Sequence, residues 1–262
     1  MDARDAPRDL SNVVLYAVAE HVATSTLNRP ARRALGQALD RARDDGDVRV
    51  VVLTGAGRAF AVGQDVAELA SDYESAPPAL ARLIYDEWGP VEAVRTLPKP
   101  VVAAVNGVAA GGSLSLALAA NIRLTETHTR FIAAFVSVGL VPDSGASHDL
   151  VRLVGFSKAM ELCLTSKPLP AADALALGLV ASVAADGATL AAEACQYAAR
   201  LAAGAPMAQA GVKAILHAAA DASFDEIVAL EAEWQDRLGA TEDHREALNA
   251  FLSNRSPTFR GQ

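Results

Sequence analysis

The scarcities of this 262-residue chain narrow its possible roles. It holds two cysteines, Cys163 and Cys195, both in apolar, helix-like settings. They read as small buried hydrophobes rather than a disulfide or metal pair, which fits a reducing compartment. Aromatic residues make up 5% of the chain, and 23 Lys plus Arg face 31 Asp plus Glu, a net charge of −8. That balance argues against a nucleic-acid partner, because phosphate binding needs clustered cations. No window approaches the roughly 18 continuous apolar residues of a membrane span. The first thirty residues lack the basic stretch and apolar core of a signal peptide, so the expectation is a soluble, cytoplasmic protein with no membrane partner. Metal is not expected, since no His/Cys/Asp cluster has ligand spacing. A nicotinamide cofactor is not expected either: Gly55-Ala56-Gly57 lacks the third glycine of a dinucleotide fingerprint.

Hydrophobic residues, at 52% against 21% charged, are ample for a folded α/β core. The chain is organised around KPVVAAVNGVAAGGSLSLALAAN, Lys99 to Asn121. VVAAV is a short, continuous apolar run, as in a strand buried on both faces. Asn106-Gly107 breaks it, and Gly111-Gly112 then open an apolar helix over Ser113 to Ala120. Glycines let a ligand approach the backbone, and the first N–H groups of a helix have no intrahelical acceptor, so they favour negative charge. Upstream, the strand Val48 to Leu53 runs into GAGRAFAVGQDV (Gly55 to Val66), a second glycine-bearing bend. Two such bends can supply the paired N–H donors of an oxyanion hole, each worth roughly 3–4 kcal/mol of barrier against a developing enolate.

Elsewhere the pattern predicts a hairpin from Val13 to Val18 and Val22 to Leu27, a helix from Ala31 to about Asp45, a short helix Val66 to Ala70 and a helix from Ala79 to Val94. A strand Ile122 to Leu124 follows, then helices Ala146 to Val154, Ser157 to Leu164 and Ala171 to Leu177, and a last strand Leu179 to Val183. Four amphipathic helices then run in succession: Leu190–Ala203, Met207–Ala219, Phe224–Leu238 and Asp243–Asn254. Residues 1–186 are expected to form the core domain and 187–262 a helical region.

The segments GRAFAVGQD, KPVVAAVNGVAAGG, VGLVPDSGAS and ALALGLV, with LNRPARRAL near the start and EDHREALNAFLSNRSPTFRG at the end, resemble the crotonase superfamily of enoyl-CoA hydratases and isomerases. The resemblance covers nearly the whole chain. It implies a spiral of repeated ββα units and a homotrimer or a hexamer built as a dimer of trimers. The implied substrate is an acyl-CoA, with coenzyme A entering as part of that substrate and no separate cofactor. The oxyanion hole would be the N–H groups of Gln64 and Gly112. Arg29, Ala61, Gly63 and Asp65 would lie along the CoA-binding loops, Gly111 and Ser115 beside the thioester, and Trp88 and Phe135 at the acyl pocket. Arg32, Arg33 and Arg58 read either as CoA contacts or as solvated surface residues.

Family hydratases add water with two glutamates, and the matching positions here are Ser115 and Phe135. Neither has a carboxylate to move a proton. Asp143, in the VPDSG loop, looks like the catalytic aspartate of the ring-epoxide isomerase and related enoyl-CoA isomerases. A shift of a double bond needs one base, so the expected activity is isomerisation, with Asp143 as base. Two other readings stay open at this point: a hydratase with relocated acid and base groups, and an acyl-CoA-binding protein without turnover. Asp143 or Ser144 also suits a helix N-cap. His148 reads as a structural residue on the helix that follows. A 4-chlorobenzoyl-CoA dehalogenase, which uses a similarly placed aspartate as nucleophile, also needs a histidine on the helix before the KP strand, and none stands between His21 and His128.

Overall fold

Two sheets of unequal size are built in parallel by successive strand pairs. A computed structural model describes residues 14–28, 32–62, 80, 81 and 89–262. The large sheet holds β1 (Val14–Ala19), β2 (Val22–Leu27), β3 (Val50–Gly55), β5 (Val101–Val105), β7 (Ile122–Glu126) and β10 (Ser182–Ala184), hydrogen-bonded in that order. The small one holds β4 (Ala59–Val62), β6 (Val108–Ala110), β8 (Arg130–Ile132) and β9 (Leu169–Pro170). The expected hairpin is present: β1 and β2 pair antiparallel, Val14 opposite Leu27. From β2 onward the large sheet is parallel.

The spiral follows from this order. β3, β5 and β7 are neighbours in the large sheet, and the strands that follow them, β4, β6 and β8, are neighbours in the small one. Each repeat therefore crosses from one sheet to the other through a short bend. The four strands of the small sheet are two to four residues long. They are too short for a hydrophobic period to register, so the sequence reads them as loop.

Continuous apolar strands arise because both faces of the large sheet are covered. Val51, Leu53, Val101, Ala103 and Val105 join the main core with α1 (Arg32–Asp44), α2 (Gly89–Thr96), α3 (Gly112–Ala119), α4 (Ala146–Val154) and α5 (Phe156–Thr165). The alternate residues, Val50, Val52, Val102 and Ala104, meet α7 (Gly187–Ala202) through Leu190, Ala194, Ala198 and Ala202, one residue per helical turn. That spacing leaves Cys195 exposed, a correction to the expected burial of both cysteines, while Cys163 is half-buried and its thiol is pushed up by desolvation.

α6 (Ala171–Ala176) leads to β10. After α7 come α8 (Pro206–Ala218), α9 (Phe224–Gly239) and α10 (Glu242–Leu252), close to the expected bounds. Ser223 and Glu226 form a capping box at the start of α9. The C-terminal tail returns to the core: Asp243 accepts from the Arg260 and Gly261 N–H groups at 2.7 and 2.8 Å, and the Arg49 guanidinium donates to the Ala202 and Phe259 carbonyls. No helix among the described residues is long and apolar enough to cross a membrane.

Candidate active site

β5 ends at Val105, and Asn106 turns the chain while fastening it to the neighbouring bend. Its amide oxygen accepts the Gly55 N–H at 2.9 Å, and its amide nitrogen donates to the Gly55 and Gly57 carbonyls at 2.8 and 3.1 Å. One side chain thus replaces the ladder where β3 and β5 separate. Gly107 is required by proximity, since a Cβ there would lie 2.1 Å from the Arg58 carbonyl oxygen. β6 follows, and Gly111, at φ 57 and ψ −130, is the residue that opens α3. Those dihedrals are accessible to glycine at little cost. The Gly111 N–H goes to the Ile132 carbonyl of β8 at 3.1 Å, which fixes the bend against the small sheet. Gly112 then occupies the first helical position, where its N–H has no intrahelical acceptor. Among the described residues, a Cβ at Gly112 would meet nothing within 4 Å.

The two strands that lead to Gln64 and Gly112 lie side by side. β4 and β6 are parallel, with Ala61 opposite Ala109 and Val62 opposite Ala110, and adjacent strands lie about 4.8 Å apart. Gln64 and Gly112 stand two residues beyond Val62 and Ala110 in the sequence. Arg29, Gly63, Gln64, Asp65 and Trp88 lie outside the described residues, as do the expected helix from Val66 to Ala70 and half of the expected helix from Ala79 to Val94. The side chains of Arg32 and Arg33 are likewise outside them, and Arg58 is exposed.

Ser115, one turn into α3, is fully buried, and its hydroxyl donates to the Asp143 carbonyl at 3.1 Å. The Ala146 N–H, at the start of α4, donates to the same carbonyl at 2.9 Å. Asp143 itself is half-buried. The residue at the cap position of α4 is Gly145, at φ 79, preceded by Ser144 at φ 50. Neither Asp143 nor Ser144 therefore occupies the cap position, which corrects that part of the expectation. Two consecutive left-handed residues, one of them a serine, are an uncommon way to enter a helix, and strained turns of this kind cluster at functional sites. Phe135 is 5% exposed and packs in the main core, and its carbonyl accepts from Val138 and Leu140. Its ring is a wall of the interior and supplies no proton-transfer group.

His148, at the third position of α4, belongs to a chain of charges. Its Nδ1 is 2.7 Å from Asp149 Oδ1, which also accepts from Arg95 at 2.9 Å, and Asp221 bonds Arg152 on the far side. The structural expectation for His148 therefore gains partners that the sequence could not supply, from α2 and from the α8–α9 connection. Asn106 is the other residue whose role sequence reading underrated. Asn-Gly after a strand signals a turn, but not the clamp its side chain makes. Among the described residues no group of three or more His, Cys, Asp or Glu side chains could hold a metal ion.

Parallel strand pairs spiralling through two sheets, with a glycine-opened helix at the bend, define the crotonase-type fold. Residues 11–262 match the family model described as enoyl-CoA hydratase/isomerase. The chain is 37% identical to a probable enoyl-CoA hydratase of Rhodobacter capsulatus, over 96% of this chain and 99% of that protein. It is 36% identical to the 1,2-epoxyphenylacetyl-CoA isomerase of Escherichia coli K12, over 95% and 98%. Among solved structures, a putative enoyl-CoA hydratase/isomerase from Mycobacterium abscessus superposes with a TM-score of 0.90 at 37% identity, covering 95% of this chain and all of that one. The chain belongs to the enoyl-CoA hydratase/isomerase family, within the crotonase superfamily, and is an acyl-CoA enzyme of that family.

Proposed function

We propose that the protein is an enoyl-CoA isomerase that moves a double bond through a thioester enolate. The Gln64 and Gly112 N–H groups hold the thioester oxygen. Asp143 removes a proton from the carbon skeleton, the electron pair moves into the carbonyl, and the proton returns at another carbon as the carbonyl re-forms. Asp143 ends unchanged, and no water or cofactor is consumed. Coenzyme A arrives as part of the substrate. The observation that carries this reading is the Ser115–Asp143 contact. Where a two-glutamate hydratase would need a carboxylate, a buried hydroxyl instead holds the backbone of the loop that bears an acid. Two relatives support it by name: the 1,2-epoxyphenylacetyl-CoA isomerase, and a trans-2-decenoyl-[acyl-carrier-protein] isomerase of Streptococcus mutans at 33% identity.

Hydration is the second reading, favoured by the 37% identity to a protein named as a probable hydratase. Turnover of 3-enoyl-CoA and crotonyl-CoA by the wild type and by Asp143→Ala separates the two. Isomerisation lost in the variant supports the proposal. Undiminished isomerisation removes Asp143 from the mechanism, and water addition to crotonyl-CoA as the main activity establishes the hydratase. Residues 187–262 are proposed as the trimer-forming region. Phe224, Phe251 and Leu252 on α9 and α10 are each more than 80% exposed in the single chain, apolar area that a subunit contact would bury.

A further inference from the structure

A cavity lies at the opposite end of α3 from Gly112, about 10 Å along the helix at 1.5 Å per residue. It has a volume of about 520 Å³ and separates α8 from the ends of α3 and α4. That size is in the range of small-molecule sites. Leu153, Leu201, Val212 and Leu216 are among its walls, and Val212 and Leu216 are 57% and 67% exposed although they face it.

The charges around it are unbalanced. Arg95, Arg123, Arg152 and Lys213 line it, and among the described residues Asp149 is the single carboxylate that does. Asp221, which bonds Arg152 at the rim, brings the acids to two against four cations, in a chain whose net charge is −8. Arg123 and Lys213 are buried on carbonyl oxygens: those of Leu179, Leu118 and Ala120 for the guanidinium, and those of Val94 and Lys99 for the ammonium. Carbonyl dipoles satisfy hydrogen bonds but do not neutralise a full charge, so burial pushes the Lys213 ammonium down to about 7, and an anion beside it would restore its proton. His217, also in the wall, is lowered by desolvation and then by Arg95 and Lys213, so it senses the same positive field.

An apolar chamber with surplus positive charge suits an apolar anion. We propose that this cavity binds a medium-chain free carboxylate, its hydrocarbon against α3 and α8 and its head among Arg95, Arg152 and Lys213. The site is separate from the thioester site: it meets α3 at Leu118 to Ala120, whereas Gly112 opens the other end of the helix. It also meets α4 at His148, Asp149 and Arg152, one to two turns beyond the Asp143 loop.

Calorimetric titration of the full-length protein with decanoate tests this, with decanol as the uncharged probe of the same body. One decanoate should bind per chain, at least tenfold tighter than decanol. Saturating octanoyl-CoA should leave that binding in place. Ala208→Phe fills the chamber from a half-buried position on α8 and should abolish it. Arg152→Gln, a change at the exposed rim, should weaken it three- to tenfold, which keeps the test sound if the larger side chain unfolds the protein. Equal binding of decanol, full displacement by octanoyl-CoA, or unchanged affinity in both variants would each overturn the proposal. So would failure of decanoate to bind an assembled oligomer, which would assign the groove to a second copy of the chain.

Discussion

The Ser115 hydroxyl, wholly buried in α3, donates to the Asp143 carbonyl, and so joins the helix of one glycine bend to the loop that carries the acid. Ser115→Ala removes one hydrogen bond from that carbonyl and leaves the one from the Ala146 N–H. In isomerase assays kcat should fall about tenfold, equivalent to about 1.4 kcal/mol, with KM within twofold, because the change displaces the proposed base rather than a substrate contact. Ser115→Thr should recover most of the rate. Asp143→Asn should cost between about 10² and 10⁴ in kcat, the usual contribution of a positioned base.

Gly112 allows its proposed N–H role to be tested apart from its shape. As the first helical residue it stands where proline is best tolerated, and no described atom lies within 4 Å of its Cβ position. Gly112→Pro should keep the far-ultraviolet circular dichroism of the wild type and lower kcat by about 10² to 10³, the loss expected for one oxyanion donor. Retention of full turnover in a folded variant would remove that N–H from the site.

Asn106→Ala strips the clamp between the bends. It leaves the Gly55 N–H and carbonyl and the Gly57 carbonyl without their side-chain partner. Gly55 is buried, so each of its two groups orphaned in this way costs about 1–3 kcal/mol, whereas the exposed Gly57 carbonyl turns to water. Urea unfolding should show a loss of about 2–4 kcal/mol, and kcat should fall as well, because the bends lose their common anchor.

Lys213 gives stability a pH dependence. Burial lowers its ammonium to about 7, while the unfolded chain holds its proton to about 10.4. Between those values the unfolded state binds more protons, so the unfolding free energy rises with pH across the window and this group contributes no slope below it. The limiting slope is about 1.4 kcal/mol per pH unit. Arg95, Arg123, His148, His217 and Asp149 line the same cavity, and desolvation lowers the His217 imidazole, away from the window. Chemical denaturation of the wild type from pH 7 to 10 should show the rise, and Lys213→Met should flatten it. A wild type whose stability falls steadily over that range would contradict the lowered value.

Sequence alone determined the alternation of apolar strands with amphipathic helices, the buried character of VVAAV, the glycine bend at Gly111-Gly112 and the four C-terminal helices. Each of these rests on short-range periodicity or on a residue with unusual backbone freedom, and such signals survive without a fold. Only the tertiary structure decided the small sheet, because strands of two to four residues are defined by their neighbours and not by their own pattern. It alone decided that Asn106 clamps the bend after β3, that Ser115 reaches a carbonyl 28 residues further on, and that Gly145 rather than Asp143 stands at the helix cap. The surplus of cations around the cavity beside α8 was equally illegible. Arg95, Arg123, Arg152 and Lys213 are scattered along an acidic chain, and only packing brings their charges to one wall.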